Sequence, residues 1–533
     1  MLMRMWTLAW LIGLILAQPA RSGELLPADA SIESTVDHYV DAALAASGTK
    51  SAGEADAATL VRRLTLDLVG RIPTAAEARV YVESTDPEKR VKLVDRLLAS
   101  PGAARHQADS LEALMMAGVK GSLRDYLLKA TRENRPWDQV FREVMAASEA
   151  DPSTKGCGEF LKGRARDLDR LTTDVSSTFF GVNVSCAKCH DHPLVDDWKQ
   201  DHYYGMKSFL DRTFLAGNFV GEHGYGSAKF KTTAGEEKKA RFLFLTGQEV
   251  VVGGPEELKG DEKKAEKQRL DEAKKKNEAP PAPEVSARAK LVEVALGPEG
   301  RGYFPRAIVN RTWNRFFGQG LVMPLDQMHS ANPPSHPELL DWLARDVAEH
   351  GYDLRRLARG LVLSHAYARE SRAESENPDP RLFGVASPRA LTPQQLAASM
   401  WVAATDPLAL ADPTDPAKVE PIAERSRDLA RAIARPGEDY QIGAAEALLM
   451  SNGNKLDDLL SEGNERLVAR LAKVADPRER IELAVRNVLS RPTDEEEIAL
   501  LEPFLQRRAD RPVEAARHLV WALLTSGEFR FNH

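Results

Sequence analysis

Apolar residues recur three or four positions apart along most of this chain of 533 residues. Val36, Val40 and Leu44 show this spacing near the start, and Leu339 and Leu343 repeat it in the second half. Side chains at these intervals share one face of an α-helix, so the pattern predicts a mainly α protein. A chain of this length is too long for one hydrophobic core, and we therefore expect two helical domains.

The periodicity changes in the middle of the chain. Residues 213–254 contain short β-rich runs separated by turn residues, which indicate a small β insert. Residues 255–300 are rich in Lys and Glu and include the proline-rich Ala279–Pro283, which is typical of a solvated helix or a flexible linker. The predicted organisation is a signal peptide at 1–22, an N-terminal helical domain at 23–212, the β insert at 213–254, the charged linker at 255–300 and a C-terminal helical domain at 301–533.

Residues 1–22 have the features of a targeting segment. Arg4 precedes an apolar run at Met5–Ala17, and Ala20-Arg21-Ser22 offers a cleavage site with small residues. The run is shorter than the roughly 20 residues that span a bilayer, and no later stretch is apolar enough to span one. We therefore expect an exported mature protein, periplasmic or extracellular, without a transmembrane segment.

The charge pattern and the motif content exclude several classes of function. The net charge is −7, and the basic residues are interspersed with acidic ones. This distribution lacks the basic patch that nucleic-acid-binding proteins use, so no nucleic-acid partner is expected. The sequence also lacks H-E-x-x-H, G-x-S-x-G and P-loop motifs, so common metalloprotease, α/β-hydrolase and nucleoside-triphosphatase functions have no support.

The segment Cys186–His190 reads C-x-x-C-H, which is the attachment signature of a c-type haem. Two thiols one helical turn apart can each add across a vinyl group of the porphyrin, and the histidine that follows can ligate the iron. Export strengthens this interpretation, because haem is attached covalently outside the cytoplasm. We therefore expect Cys186 and Cys189 to bind haem c and His190 to be its axial ligand.

The sequence leaves the second axial ligand open. The nearest candidates are His192, His202 and Met206. Further candidates from the second half are Met323, Met328 and His329. A methionine would give a higher reduction potential than a second histidine, but the sequence does not choose between them.

A zinc site is the main alternative at the same residues. Cys186, Cys189 and His192 also have the spacing of a metal knuckle, and Cys157 or His202 could complete a tetrahedral set. Such a site would make the protein a structural or binding module. A redox-inert disulfide between Cys186 and Cys189 is the third interpretation, whereas three cysteines are too few for a disulfide framework.

Several further motifs occur in the order of a known pair of domains. The first set of segments is Arg63–Thr74, Leu93–Pro101 and Cys186–Pro193, followed by Trp198 and Tyr203-Tyr204. This set resembles domain of unknown function 1549, which belongs to a planctomycete family of secreted cytochrome-like proteins. Those that resemble its companion, domain of unknown function 1553, are Val309–Trp313, Phe317–Val322, Ser335–Leu340 and Ser526–Phe529. Together they cover nearly all of the mature chain.

The resemblance implies a secreted, cytochrome-associated protein without an established reaction. Many relatives carry an additional N-terminal cytochrome-like domain with its own C-x-x-C-H, which is not found in this sequence, so we expect a single haem. Cys157 is not part of the family pattern. Because no residue pattern indicates distal acid–base machinery, the sequence favours an electron carrier with an unidentified redox partner over a haem enzyme.

Overall fold

Helices account for most of the protein. The computed structural model describes residues 25–147, 152–193, 195–298, 302–372, 379–412, 416–433, 450 and 454–533. About 56% of the chain is helical, and the described residues form 24 α-helices and three two-stranded sheets. The predicted mainly α fold is therefore confirmed. The predicted signal peptide at 1–22 lies outside the described residues.

The helices divide into a group before residue 300 and a group after it. The first group is α1 (Ile32–Ser47), α2 (Ala57–Val69), α3 (Ala75–Glu83), α4 (Lys89–Ala99), α5 (Pro101–Met115), α6 (Arg124–Arg132), α7 (Trp137–Ala146), α8 (Glu159–Lys162), α9 (Leu168–Phe180), α10 (Gln200–Leu210), α11 (Gly260–Lys276) and α12 (Ala287–Leu296). The second group is α13 (Tyr303–Phe317), α14 (Pro337–Glu349), α15 (Leu354–Leu363), α16 (His365–Ala368), α17 (Pro393–Ala404), α18 (Pro416–Ala430), α19 (Asn454–Leu459), α20 (Leu467–Leu471), α21 (Pro477–Val488), α22 (Glu495–Gln506), α23 (Pro512–Thr525) and α24 (Gly527–Arg530). None of these described helices has both the length and the hydropathy needed to cross a lipid bilayer.

The strands are short and pair as three antiparallel hairpins or ladders. They are β1 (Thr213–Ala216) with β2 (Phe219–Glu222), β3 (Lys229–Lys231) with β4 (Glu237–Lys239), and β5 (Arg389–Ala390) with β6 (Phe531–Asn532). The last pair joins two segments that are far apart in sequence.

Local signals define several helix ends. The Thr74 hydroxyl accepts a hydrogen bond from the backbone N–H of Glu77 (3.1 Å), and the Glu77 carboxylate accepts one from the N–H of Thr74 (2.8 Å). This capping box begins α3. Thr392 and Gln395 form a second box at the start of α17. Gly181 ends α9 in the left-handed conformation.

The buried apolar side chains form two main cores. The first core is built from residues between Ile32 and Phe383, and the second is built mainly from residues between Leu391 and Phe529. Helix α2 contributes to both, because Leu64 belongs to the first core and Leu66 to the second. This helix is buried along most of its length.

The two helices within the predicted linker at 255–300 differ in how they pack. Helix α11 is an exposed charged helix, in keeping with a solvated helix there. Helix α12, in contrast, packs against α7 and α10 and buries Leu291 and Ala295 in the first core. The apolar residues of α12 form a face that packs in the core, although the composition of residues 255–300 as a whole is charged. The change from one core to the other therefore falls between Phe383 and Leu391.

The β insert at 213–254 differs in detail from the prediction. Residues 229–231 form β3, whereas the β-rich residues at 241–245 and 249–252 meet through the bridge between Leu243 and Glu249. Phe244 and Leu245 are buried in the first core. The apolar residues of this run therefore pack against helices and do not build a larger sheet.

Candidate functional site

The C-x-x-C-H motif begins shortly after the end of α9. Gly181 ends that helix with a φ of 65°, and a Cβ at this position would lie 3.1 Å from the sulfur of Met328. Glycine adopts this conformation without strain and leaves room for the methionine. The chain then passes through the buried Val182 and Val184 into a 3-10 turn at Ser185–Lys188.

Both cysteines of the motif are exposed, and they are free thiols. Ala187, between them, is fully buried and anchors the turn. Cys186 lies within the 3-10 turn, and Cys189 follows it directly as the residue that ends it. The disulfide considered for this pair is not formed, and both sulfur atoms are accessible from solvent.

Hydrogen bonds hold His190 and the backbone around it. The Nδ1 atom of His190 lies 2.7 Å from the carbonyl oxygen of Asp191, so Nδ1–H donates, and in the neutral ring the lone pair is on Nε2. The Asp191 carboxylate accepts a hydrogen bond from the backbone N–H of Gln200 at the start of α10 (2.9 Å). The Gln200 side-chain amide donates to the carbonyl oxygen of Cys189 (3.0 Å). The start of α10 therefore fixes the segment that carries the imidazole.

Lys188, between the two cysteines, forms an ion pair with Asp169 of α9 (Nζ–Oδ2 2.8 Å). The same carboxylate accepts a hydrogen bond from the Tyr203 hydroxyl (2.9 Å) and lies 3.3 Å from Nζ of Lys207. Partial burial would raise the pKa of Asp169, but the hydrogen bonds from Lys188 and Tyr203 and the charge of Lys207 outweigh it and lower that pKa to about 2. This carboxylate therefore joins the turn to α9 and α10.

We expect Asp169→Asn to lower the melting temperature at neutral pH by an amount that disappears in acid. Because the pKa of Asp169 falls from 3.8 to about 2 on folding, its carboxylate stabilises the native state above pH 4, and this contribution is lost as the pH falls toward 2. The site is partly exposed, so the loss should not exceed about 1 kcal/mol. Melting curves of the wild type and the variant between pH 2 and pH 7 measure it.

Asp261→Asn is the matched control, because Asp261 pairs with Lys264 on the surface of α11 and is almost fully exposed. Its melting temperature should follow that of the wild type throughout. A difference for Asp169→Asn that persists unchanged at pH 2 would contradict the role given to the ionised carboxylate.

A loop from the second half of the chain contacts the motif on both sides. Before the motif, the backbone N–H of Asn183 donates to the carbonyl oxygen of Asp326 (2.7 Å), and Val182 forms a bridge with Gln327. After the motif, the Asp197 carboxylate accepts hydrogen bonds from the Ser330 backbone N–H (2.7 Å) and hydroxyl (2.6 Å). The loop at 326–330 therefore fixes the chain segments that enter and leave the motif.

The candidate second ligands lie in different environments. Met206 is fully buried in the first core, so its sulfur is not on the surface that carries the thiols. His202 is partly buried, its Nδ1 accepts a hydrogen bond from the Lys199 backbone N–H (3.2 Å), and desolvation lowers its pKa. His192 is near His329, whose pKa is lowered by desolvation and by the charge of His192.

The zinc candidates are not brought together. Cys157 is fully buried in the first core, whereas Cys186 and Cys189 are exposed. Over the ranges that the structure describes, no group of three or more His, Cys, Asp or Glu side chains is arranged to hold a metal ion. Cys157, Cys186, Cys189 and His192 therefore do not converge on a common point.

Sequence reasoning missed the residues that support the motif. Gln200 has no recognisable signature, although it lies at the start of a predicted helix. Asp326 and Ser330 follow the motif by more than one hundred residues, so no local pattern could connect them with it. Only paired changes in related sequences could have indicated these contacts.

Two parts of the chain match known family models. Residues 35–214 match PSCyt2, described as a protein of unknown function (DUF1549), and residues 287–435 match PSD1, described as a protein of unknown function (DUF1553). The matches occur in the order that the motifs predict. The C-x-x-C-H motif lies within the first match, and the loop at 326–330 lies within the second. No curated protein and no solved structure shows significant similarity to the chain.

Proposed function

We propose that this protein is an exported, cytochrome-like electron carrier with one covalent c-type haem. Cys186 and Cys189 would hold the haem through thioether bonds, and His190 would be an axial ligand. Each thioether forms by addition of a thiol S–H across a vinyl double bond, so the attachment has no leaving group. When bound, the haem would take up and release one electron.

One observation carries this proposal, namely that two free thiols and an oriented imidazole occupy the same exposed turn. Both cysteines are exposed, Cys186 in the 3-10 turn and Cys189 directly after it. The hydrogen bond from Nδ1 of His190 to the Asp191 carbonyl leaves Nε2 available to a metal. A metal-binding histidine usually donates its other ring N–H in this way. The chemistry of these donors therefore fits a c-type haem.

The surrounding residues would hold the axial imidazole in place. Gln200 of α10 is hydrogen-bonded to the Asp191 carboxylate and to the Cys189 carbonyl, on either side of His190, and Asp169 of α9 pairs with Lys188. An imidazole held by such contacts needs little reorganisation to bind a metal, which favours tight ligation. Met206, which is fully buried in the first core, is the candidate for the second axial position that this arrangement supports least.

The proposed location rests on the sequence of residues 1–22, which predicts a signal peptide. An extracytoplasmic location, periplasmic or extracellular, agrees with covalent haem attachment. The motif is exposed, so a redox partner could approach it directly from solvent. The resemblance to the cytochrome-like family supports the same function, although the matched family models carry no assigned activity.

Haem staining of the denatured protein tests the proposal. The full chain is expressed with a cytochrome maturation system, purified, and separated on a denaturing gel. We expect a haem-stained band at the mass of the chain and about one iron atom per molecule, because thioether bonds survive denaturation. A colourless protein with stoichiometric zinc would instead show that the same residues bind a different metal, and the electron-carrier proposal would be wrong.

A further inference from the structure

A cavity of about 60 Å³ lies between helices from the two matched regions, away from the C-x-x-C-H motif. Helices α2, α4, α5, α6 and α7 line one side, and α13 and α15 line the other. Much of its wall is apolar and includes Leu68, Leu111, Val140 and Phe316. Such a wall favours a ligand with an apolar part.

The charged side chains that line this cavity are all arginines. Arg135, Arg315 and Arg355 line it, and no Asp or Glu does. Arg135 is neutralised by ion pairs with Glu133 and Glu143. The other two arginines have no ion pair among the described residues. The cavity therefore has an excess of positive charge.

The two arginines without an ion pair, Arg315 and Arg355, still have N–H groups that can donate hydrogen bonds to a ligand. Arg315 donates to the Asp67 carbonyl oxygen (2.9 Å) and to the Gln107 side chain. Arg355 makes one long contact with the Thr131 carbonyl oxygen (3.5 Å). Desolvation lowers the pKa of Arg315 to about 10, so its guanidinium remains charged at neutral pH. Two guanidinium groups that lack an acidic partner favour an anionic ligand.

Trp137 provides a neutral donor in the same wall. Its side chain is 1% exposed, yet Nε1 has no hydrogen-bond acceptor among the described residues. The ring is held in place by stacking against Phe179 and Phe304. Buried indole N–H groups usually have an acceptor. The ring itself lines the cavity, so a ligand there should perturb the indole.

We propose that this cavity binds a short-chain carboxylate, with its alkyl chain against Leu111, Val140 and Phe316 and its oxygens toward Arg315 and Arg355. A water molecule needs about 10–15 Å³ of such a cavity, so about 60 Å³ holds only a few heavy atoms. Acids of two to four carbons fit this limit. This ligand site is separate from the proposed haem site and does not depend on it.

Calorimetric titration with sodium butyrate tests the site, with n-butanol as the neutral probe of similar size. We expect a dissociation constant of about 1 mM for butyrate at low ionic strength, since a six-atom ligand offers limited binding energy. Butanol should bind at least about tenfold more weakly, because it lacks the charge that Arg315 and Arg355 recognise. In nitrogen–proton NMR spectra, butyrate should shift the indole resonance that Trp137→Phe removes.

Arg355→Gln should weaken butyrate binding by about tenfold or more. Arg359→Gln is the matched control on the same helix, because Arg359 pairs with the exposed Asp95 outside the cavity. It should keep the wild-type affinity within about twofold. Ala104→Leu, which adds volume to the cavity wall, should abolish binding, and melting curves confirm that each variant is folded.

Equal affinities for butyrate and butanol would show an apolar site without anion recognition and would overturn the proposal. Equal competition by inorganic phosphate would show an anion site that ignores the alkyl chain and would also overturn it. The proposal would also be overturned if butyrate gave no saturable heat, or if folded Arg355→Gln bound butyrate as tightly as Arg359→Gln does.

Discussion

Replacing Asp67 with alanine should lower the free energy of unfolding by about 3–5 kcal/mol, because it leaves a buried guanidinium without its counter-charge. Asp67 lies on α2 and is 2% exposed. Its two carboxylate oxygens accept hydrogen bonds from Arg389 at 2.9 and 2.8 Å. The Tyr367 hydroxyl (2.7 Å) and the Asn532 amide (2.8 Å) donate to the same carboxylate. Urea denaturation monitored by circular dichroism measures the loss.

Two further variants separate the charge from the hydrogen bonds. Asp67→Asn keeps the shape and part of the accepting capacity, so we expect a smaller loss than for alanine. Asp95→Ala removes a carboxylate whose ion pair with Arg359 is exposed, and it should cost less than about 1 kcal/mol. If Asp67→Ala and Asp95→Ala were equally stable, the buried network would have no special role.

The large expected effect follows from where Asp67 lies in the fold. Helix α2 contributes to both cores, Arg389 belongs to β5, and Asn532 belongs to β6. Burial and the neighbouring Asp67 raise the pKa of Tyr367 well above 10, so its hydroxyl remains a donor at physiological pH. The Asp67 carboxylate therefore connects α2, which contributes to both cores, to the β5–β6 ladder. This ladder joins the end of the described chain to residues 389–390.

The helices could be predicted because their signals are local. The spacing of apolar residues in α1, α9 and α14 and the capping boxes at Thr74 and Thr392 lie within a few residues of the helices that they define. Helix propensity, capping and burial agree in these segments, so short windows of sequence were sufficient. The C-x-x-C-H motif is local in the same sense.

The arrangement of these helices could not be predicted from such windows. The sequence places α12 in a charged linker because the residues around it are polar, yet its apolar face packs in the first core. The network of Asp67 joins residues separated by 300 or more positions. The cavity beside Trp137 likewise forms only when α7 and α13 come together. Such contacts depend on the tertiary fold, which periodicity does not encode.

The candidate site, like the fold, could be predicted only in its local part. The sequence identified the two thiols and His190, which are consecutive elements of one motif. It also named Met328 and His329 as candidate ligands, but it did not predict the backbone contacts that the loop at 326–330 makes with Asn183 and Val182. This loop lies within the second matched region and the motif within the first, so the site is supported by both. An isolated first region would therefore lose part of the support of the motif.

The double variant Cys186→Ala/Cys189→Ala should lose all haem that remains with the denatured chain. Both thioether bonds of the proposed site depend on these sulfur atoms, whereas each single variant keeps one bond and should retain stain. Because both side chains are exposed, the fold should be preserved within about 0.5 kcal/mol. Haem staining on a denaturing gel and urea denaturation of the same preparations measure the two effects separately.

Cys157→Ala is the matched control, because it removes the third thiol of the chain from a fully buried position in the first core. It should keep full haem staining and lose about 1 kcal/mol of stability, since removing one buried sulfur leaves a small cavity. The two variants thus have opposite expected results. The double variant at the exposed pair should lose the haem and keep its stability, whereas Cys157→Ala should keep the haem and lose stability. Stain that persists in the double variant would place the attachment elsewhere, and stain lost in Cys157→Ala without unfolding would implicate the buried thiol directly.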